Sequence, residues 1–173
     1  MKKVYVSWND VQRQVQEIIR QMYLDGFKPD YIVGITRGGL TPANLISQYL
    51  EIPMQTIKVS LRSDKDCESN LWMAEDAYRG TNILIVDDIN DSGATINWIR
   101  RDWQDSSDPE DPKWADIWGG NVRIACLYNN ESSDNEIAVN YFAEEVNKFE
   151  DPQWIVFPWE EWWRKWNPEE QHN

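Results

Sequence analysis

The chain has 173 residues, of which 41% are hydrophobic and 27% charged, so a single globular domain with a sizeable core is expected. Seventeen basic and 30 acidic residues give a formal net charge of −13 at pH 7. Because duplex nucleic acid and anionic membranes attract clustered positive charge, this balance argues against both as general partners. Eleven tryptophans are an unusually large number for this length and need an explanation.

Cysteine and histidine usage excludes several kinds of site. Cys67 and Cys126 are far apart, which fits neither a disulfide framework nor a metal-binding spacing. The only histidine, His172, argues against His-based catalysis and multi-His metal sites. No signal-peptide core is visible, and no apolar run reaches the ~18 residues of a membrane span. We therefore expect a protein of the reducing cytoplasm without a membrane partner.

Apolar periodicity predicts strands and helices in alternation. In chain order, the predicted elements are a helix at 10–25 capped by Ser7 or Asn9 and closed by Gly26, a strand at 31–35, a helix at 42–50, strands at 54–60 and 82–87, a helix at 95–103, and strands at 122–128 and 154–157. Residues 61–80 have no clear periodicity and are predicted to form a long mobile loop or a hairpin. Residues 104–112 are acidic and proline-containing, which predicts a surface insertion.

This alternation predicts an α/β fold with a mainly parallel, twisted sheet flanked by helices. The sequence contains no internal repeat and no reason to split the chain, so residues 1–173 are expected to form one domain. We place its core at about 1–130 and a small C-terminal hood over the sheet edge at about 131–173.

The run at 83–95 carries the clearest chemistry. An apolar strand ends in Asp87 and Asp88, and after two spacers Asp91 precedes the small-residue loop 92–95. Open α/β sheets bind ligands at such strand ends, and a helix N-terminus with nearby hydroxyls suits a phosphate. Paired carboxylates beside a phosphate site favour a sugar diol or a divalent cation. A phosphorylated sugar together with Mg²⁺ is therefore predicted, although a capped turn with solvated acids remains the simpler alternative.

This run resembles the phosphoribosyl-pyrophosphate motif of the type I phosphoribosyltransferases. Asn90 stands at a spacer position that is more often aliphatic in that family. The segment 36–39, Thr-Arg-Gly-Gly, is similar to the family loop that binds pyrophosphate. Such loops often contain a strained or cis peptide, which Gly38 and Gly39 would accommodate.

The resemblance is closest to the xanthine-guanine (purine) branch and extends over most of the chain. Residues 6–8 match the start of that branch, and 153–160 resemble its C-terminal hood, which implies that Trp154 stacks on a nucleobase and that Ile155 contacts the base edge. The branch reads the 6-oxo group with a lysine that is missing from 127–131. Asn130 stands at or near that position, so the identity of the base stays open. The other late tryptophans are interpreted as packing or subunit-contact residues: Trp159, Trp162, Trp163 and Trp166.

The activity implied by this resemblance is Mg²⁺-dependent transfer of a 5-phosphoribosyl group from phosphoribosyl pyrophosphate to a nucleobase, giving a nucleoside monophosphate and pyrophosphate. Asp91 is the implied general base, and Asp88 is the implied contact to the metal. The implied donor-binding residues are Arg37, Gly38, Gly39, Asp87, Asp88, Asp91, Ser92, Gly93, Ala94 and Thr95. The implied base-binding residues are Asn130, Trp154 and Ile155.

Other functions of the same fold stay open. A non-catalytic protein could bind a nucleotide or the donor as a regulator, or the tryptophan-rich tail could serve an interaction module. Asp91 and the complete phosphate loop favour catalysis. Within 61–79, the basic residues Arg62, Lys65 and Arg79 are candidates to close over pyrophosphate. The aromatic tail predicts a homo-oligomer, either a dimer or a tetramer.

Overall fold

The computed structural model describes residues 1–61 and 66–165. In chain order its elements are β1 (Lys2–Tyr5), α1 (Trp8–Asp25), β2 (Tyr31–Thr36), α2 (Leu40–Leu50), β3 (Met54–Ser60), β4 (Asp66–Cys67), α3 (Leu71–Tyr78), β5 (Ile83–Asn90), α4 (Ala94–Asp105), α5 (Trp114–Ile117), β6 (Val122–Asn130), β7 (Tyr141–Val146), β8 (Gln153–Val156) and a 3₁₀ helix (Trp162–Lys165). No helix in the described ranges is both long enough and apolar enough to cross a membrane.

The strands form two sheets. The main sheet has six strands in the order β4-β3-β2-β5-β6-β7, and every pairing is parallel except that of β3 with β4. The small sheet pairs β1 with β8 in parallel. These findings confirm the α/β fold and its mainly parallel sheet. Because β7 continues the main sheet past residue 130, that sheet ends inside the segment assigned to the hood.

Helices cover both faces of the main sheet, as a parallel sheet requires. Alternate residues of β5 belong to opposite apolar clusters: Leu84 and Val86 pack with α1 and α2, whereas Ile83 and Ile85 pack with α3, α4 and α5. Part of the tryptophan excess lies in the second cluster, where Trp103 and Trp114 are buried against Trp118.

The first helix ends as the sequence predicts but begins two residues earlier, at Trp8, and the structure decides between its two candidate caps. Ser7 Oγ accepts a hydrogen bond from the amide of Asp10 at 3.0 Å, and the Asp10 carboxylate accepts one from the Ser7 amide at 2.9 Å. This reciprocal pair is a capping box. Gly26 ends the helix in the left-handed region, with φ at +68°.

Helix α3 is the main element that the sequence did not predict. Within the stretch interpreted as a loop or a hairpin, β4 does form a hairpin with β3, but Leu71–Tyr78 is helical. The side chain of Asn70 caps this helix by accepting from the amide of Met73 at 3.1 Å. With only two turns, it is too short to show a clear apolar period. Arg79 is exposed at its C-terminal end, while Arg62 and Lys65 lie outside the described residues.

Candidate active site

A cavity of about 1080 Å³ lies at the carboxyl ends of β2 and β5. The loops that follow these two adjacent strands form one side, and residues of the β7–β8 connection and of β8 form another. The predicted site residues in its wall are Arg37, Gly38, Asp87, Asp88, Asp91, Ser92, Gly93, Ala94, Thr95, Trp154 and Ile155. Gly39 and Asn130 are not among the described residues that line it.

The loop at 92–95 has the geometry of a helix start. Gly93 adopts φ of +87° immediately before α4, and Ser92 Oγ accepts a hydrogen bond from the amide of Ala94 at 3.3 Å. A Cβ on Gly93 would also lie 2.8 Å from the amide nitrogen of Asn135, so glycine is required there for two reasons. The first-turn amides of α4 have no carbonyl partner within the helix, which makes this end of the cavity suitable for an anion.

The buried side chain of Asn90 explains its departure from the aliphatic residue that is usual at this spacer. Its Nδ2 atom lies 2.9 Å from Asn129 Oδ1, 2.9 Å from Ser133 Oγ and 3.0 Å from Asn135 Oδ1. An aliphatic side chain could donate none of these hydrogen bonds. Asn90 therefore fixes the segment 131–136, which in turn packs against the phosphate loop.

Two adjacent carboxylates stand at the end of β5. Asp87 Oδ1 accepts from the amide of Asp88 at 2.9 Å, and Asp88 Oδ1 accepts from the amide of Ile89 at 2.7 Å. Burial raises the pKa of Asp88 to about 6, and the negative charge of Glu160 adds to this effect. The site therefore concentrates negative charge that a cation or sugar hydroxyls would stabilise.

Asp87 and Asp88 are the residues that could hold a divalent cation. In residues 1–61 and 66–165, no three acidic, histidine or cysteine side chains converge as a metal site. Mg²⁺ usually keeps several waters and binds one or two protein carboxylates together with substrate phosphates. The donor set present here fits that mode, in which a phosphorylated ligand supplies the remaining oxygens.

The loop after β2 contains a cis peptide, but between Thr36 and Arg37 rather than at the glycines. Gly38 lies against the Asp88 carboxylate so closely that a Cβ would collide with it. Gly39 is buried and donates its amide to Ile35 O at 2.8 Å. The amide hydrogen of Gly39 is therefore already used within the loop, and the expected contact of Gly39 with pyrophosphate stays a prediction.

The structure also changes the interpretation of Asn130. This residue is only 6% exposed, and its Nδ2 donates to the backbone oxygen of Asp91 at 2.8 Å. Its Oδ1 accepts from Ser132 Oγ at 2.8 Å and from the amide of Lys148 at 3.0 Å. Both ends of the amide are directed to protein groups, so Asn130 is a positioning residue and not the base-edge contact that the sequence predicts.

Lys148 is the site residue that the sequence did not reveal. It lies between β7 and β8, and its Nζ atom is 2.9 Å from Asp91 Oδ1 and 5.8 Å from the centre of the Trp154 ring. Its side chain is only 15% exposed. Lys148 is 57 positions from Asp91, so no local spacing in the sequence relates the two. The sequence feature that could have pointed to Lys148 is that it is the one lysine in an acidic stretch. Lys58 also lines the cavity and pairs with Asp66.

Several aromatic residues of the hood line the cavity, namely Trp154, Phe157, Trp159 and Trp163. Trp154 lines the cavity and is 38% exposed, whereas the next side chain, Ile155, is buried in the apolar core. Trp159 stacks on Phe157 with 4.9 Å between ring centres and also contacts Trp8. The contacts of Trp159 support the packing interpretation, and Trp166 lies outside the described residues.

Comparisons with known proteins agree with this architecture. A model of the phosphoribosyl transferase domain matches residues 5–165. A xanthine-guanine phosphoribosyltransferase of Cereibacter sphaeroides is 31% identical, with 92% of this chain and 87% of the relative covered. A hypoxanthine-guanine phosphoribosyltransferase of Schizosaccharomyces pombe is 27% identical, with 91% and 89% covered. The crystal structure of a purine phosphoribosyltransferase from Pyrococcus horikoshii superposes with a TM-score of 0.64 at 26% identity, covering 93% of this chain and 95% of that one.

The fold and the comparisons thus define an α/β enzyme. The chain belongs to the phosphoribosyl transferase family, and it is an enzyme of that class.

The two loop glycines provide a first test of the site geometry. A Cβ on Gly39 would collide with the backbone oxygen of Val86, which cannot move without disturbing β5. Gly39→Ala should therefore lower the Tm by several degrees, since overpacking costs ~1–3 kcal/mol. In Gly38→Ala the colliding atoms belong to a side chain, Asp88. This variant should keep its Tm but lose affinity for the phosphoribosyl donor; equal loss of Tm in both variants would contradict the assignment.

Burial of Asp88 predicts a pH-dependent stability effect. The pKa of Asp88 is raised from 3.8 to about 6 in the folded state, so the folded protein loses stability as the pH rises through that window. In the presence of EDTA, Asp88→Asn should therefore raise the Tm by about 2–4 °C at pH 7.5, the shift that ~1 kcal/mol produces in a chain of this size. The gain should vanish near pH 4. The exposed control Asp105→Asn should show no such dependence, and a destabilised Asp88→Asn at pH 7.5 would refute the account.

Proposed function

We propose that this enzyme transfers a 5-phosphoribosyl group from phosphoribosyl pyrophosphate to a purine base in an Mg²⁺-dependent reaction. The observation that carries the proposal is a single cavity that joins a helix N-terminus, three aspartates and Trp154. The helix N-terminus suits the 5′-phosphate, the carboxylates suit the ribose, and the aromatic face suits a base. The names of the relatives, which include xanthine-guanine and purine phosphoribosyltransferases, support a purine.

The donor lies across the carboxyl ends of β2 and β5. Its 5′-phosphate binds the amides and hydroxyls of 92–95, and Asp87 and Asp88 accept hydrogen bonds from the ribose hydroxyls. Arg37 and the backbone at Gly38 face the pyrophosphate. When bound beside Asp88, Mg²⁺ supplies positive charge that neutralises the leaving group.

The reaction forms one bond at the ribose carbon C1′ and breaks another. The N9 atom of the purine attacks C1′, and the bond from C1′ to the pyrophosphate oxygen breaks with its electron pair leaving on pyrophosphate. Asp91 accepts the proton that the base loses from N7. Because positive charge develops on the ribose in the transition state, the carboxylates of Asp87 and Asp88 stabilise it electrostatically.

The proposal includes a cytoplasmic homo-oligomer, either a dimer or a tetramer. Large apolar side chains stand exposed on the outer faces of α1 and α2, among them Tyr23, Leu24 and Tyr49. Exposed apolar surface of this kind is typical of subunit contacts.

A panel of bases tests the reaction. Pyrophosphate release should require Mg²⁺ and should occur with guanine, xanthine or hypoxanthine, but not with uracil or orotate. Release only with pyrimidines would contradict the purine assignment. Binding of the donor without turnover of any base would instead favour the non-catalytic regulator.

Asp91→Asn tests the general base. The variant should keep Mg²⁺-dependent binding of the donor in calorimetry, because other residues hold the phosphates and the ribose. Its turnover should fall by ~10²–10⁴-fold, the usual contribution of a positioned general base. The control Asp105→Asn removes an exposed carboxylate of α4 and should leave turnover unchanged. Wild-type turnover in Asp91→Asn would reject the assignment.

A further inference from the structure

Asn130, the expected base-reading residue at the end of β6, is not among the described residues that line the cavity. The side chain of Lys148 lines it nearby. The chain has no lysine between Lys113 and Lys148, and Asn130 is committed to protein partners. Lys148 instead reaches the cavity wall from the connection between β7 and β8. Its position raises the question of which group on a substrate this ammonium would face.

Asn130 fixes the position of Lys148 relative to Asp91. One end of its amide donates to the backbone oxygen of Asp91 at 2.8 Å, and the other end accepts from the backbone amide of Lys148 at 3.0 Å. The two residues therefore approach each other at the backbone as well as through the 2.9 Å pair between their side chains. The arrangement holds an acceptor and a donor next to each other at one edge of the cavity.

The ammonium group of Lys148 lies over the ring of Trp154, on the face that a stacked base would share. The Lys148 ammonium lies 5.8 Å from the centre of that ring, and both side chains line the same cavity. At 5.8 Å from the ring centre, the ammonium leaves room for a base stacked beside it, and such a base would turn one edge toward Lys148 and Asp91. That edge must then offer a hydrogen to Asp91 and an acceptor to Lys148.

This pattern distinguishes between purines. An ammonium group only donates hydrogen bonds, so it pairs with an oxo oxygen and not with an exocyclic amine. In guanine, O6 and N7 lie side by side on one edge, whereas adenine carries an amine beside N7. A 6-oxopurine with N7 at Asp91 can therefore place O6, the acceptor next to N7, at the neighbouring ammonium of Lys148.

We propose that Lys148 is a specificity-determining residue that selects 6-oxopurines over 6-aminopurines. The proposal rests on the proposed function, because it places the N7 edge of the base at Asp91. The base-reading cation thus comes from the β7–β8 connection, while Asn130 at the end of β6 acts as the support that holds it in place.

Lys148→Met tests this directly, since methionine keeps similar length without a charge and the backbone bond to Asn130 remains. The efficiency kcat/KM should fall about 10- to 100-fold for hypoxanthine and guanine, the usual effect of losing one hydrogen bond from a charged group. Calorimetric affinity for guanosine 5′-monophosphate should fall by a similar factor, and that for adenosine 5′-monophosphate should stay unchanged. Lys148→Arg should restore part of the preference, because the guanidinium also only donates.

Lys113→Met is the matched control. Lys113 also packs over an aromatic ring, 4.2 Å from the centre of Tyr78, but it does not line this cavity. The variant Lys113→Met should leave the preference for 6-oxopurines over 6-aminopurines unchanged.

Two results would overturn the inference. If Lys148 only orients Asp91, Lys148→Met should lower turnover with all bases equally and leave the binding of both nucleotides unchanged. If both nucleotides lose affinity equally, or neither does, Lys148 does not read the oxo group. A wild-type protein that turns over no base contradicts the proposed function, yet its nucleotide preference still tests the role of Lys148.

Discussion

The parallel pairing of β2 with β5 determines which groups meet at the site. It sets Gly34 beside Val86, so the two strands end at the same edge of the sheet and their loops face each other. Gly39 lets the first loop pack directly on the backbone of Val86, which brings Gly38 against Asp88. The separation between the loop at 36–39 and the two carboxylates is thus set by main-chain packing and not by flexible side chains.

A strongly acidic chain that binds an anionic donor must provide local positive charge. The cavity wall contains Arg37, Lys58 and Lys148, and the amides at the start of α4 contribute further positive field. Burial raises the pKa of Asp88, and the negative charge of Glu160 adds to this effect. Binding of a metal together with the donor would complete this balance, which connects the net charge of −13 to the proposed Mg²⁺ dependence.

The sequence predicts those parts of the site that are continuous along the chain. The run from β5 into α4 was readable because a strand, its terminal acids and a helix start follow one another within 13 residues, at 83–95. Lys148 could not be predicted in this way, because β6 and β7 separate it from Asp91 along the chain and only the fold brings the two side chains together. Asn130 lies at the end of β6, but its hydrogen bonds to Asp91 O and to the amide of Lys148 join parts of the chain that the sequence does not relate. Helix α3 was missed because two turns carry too few apolar residues to show a period.

One cavity is proposed to bind the phosphate at α4 and the base against Trp154, with Lys148 at the base edge. A crystal structure of the protein with bound guanosine 5′-monophosphate tests it most directly. The account predicts the phosphate on the amides of 92–95, the guanine ring against Trp154, and O6 within hydrogen-bonding distance of Lys148 Nζ. A nucleotide bound with its phosphate away from 92–95, or with its base away from Trp154, would contradict it.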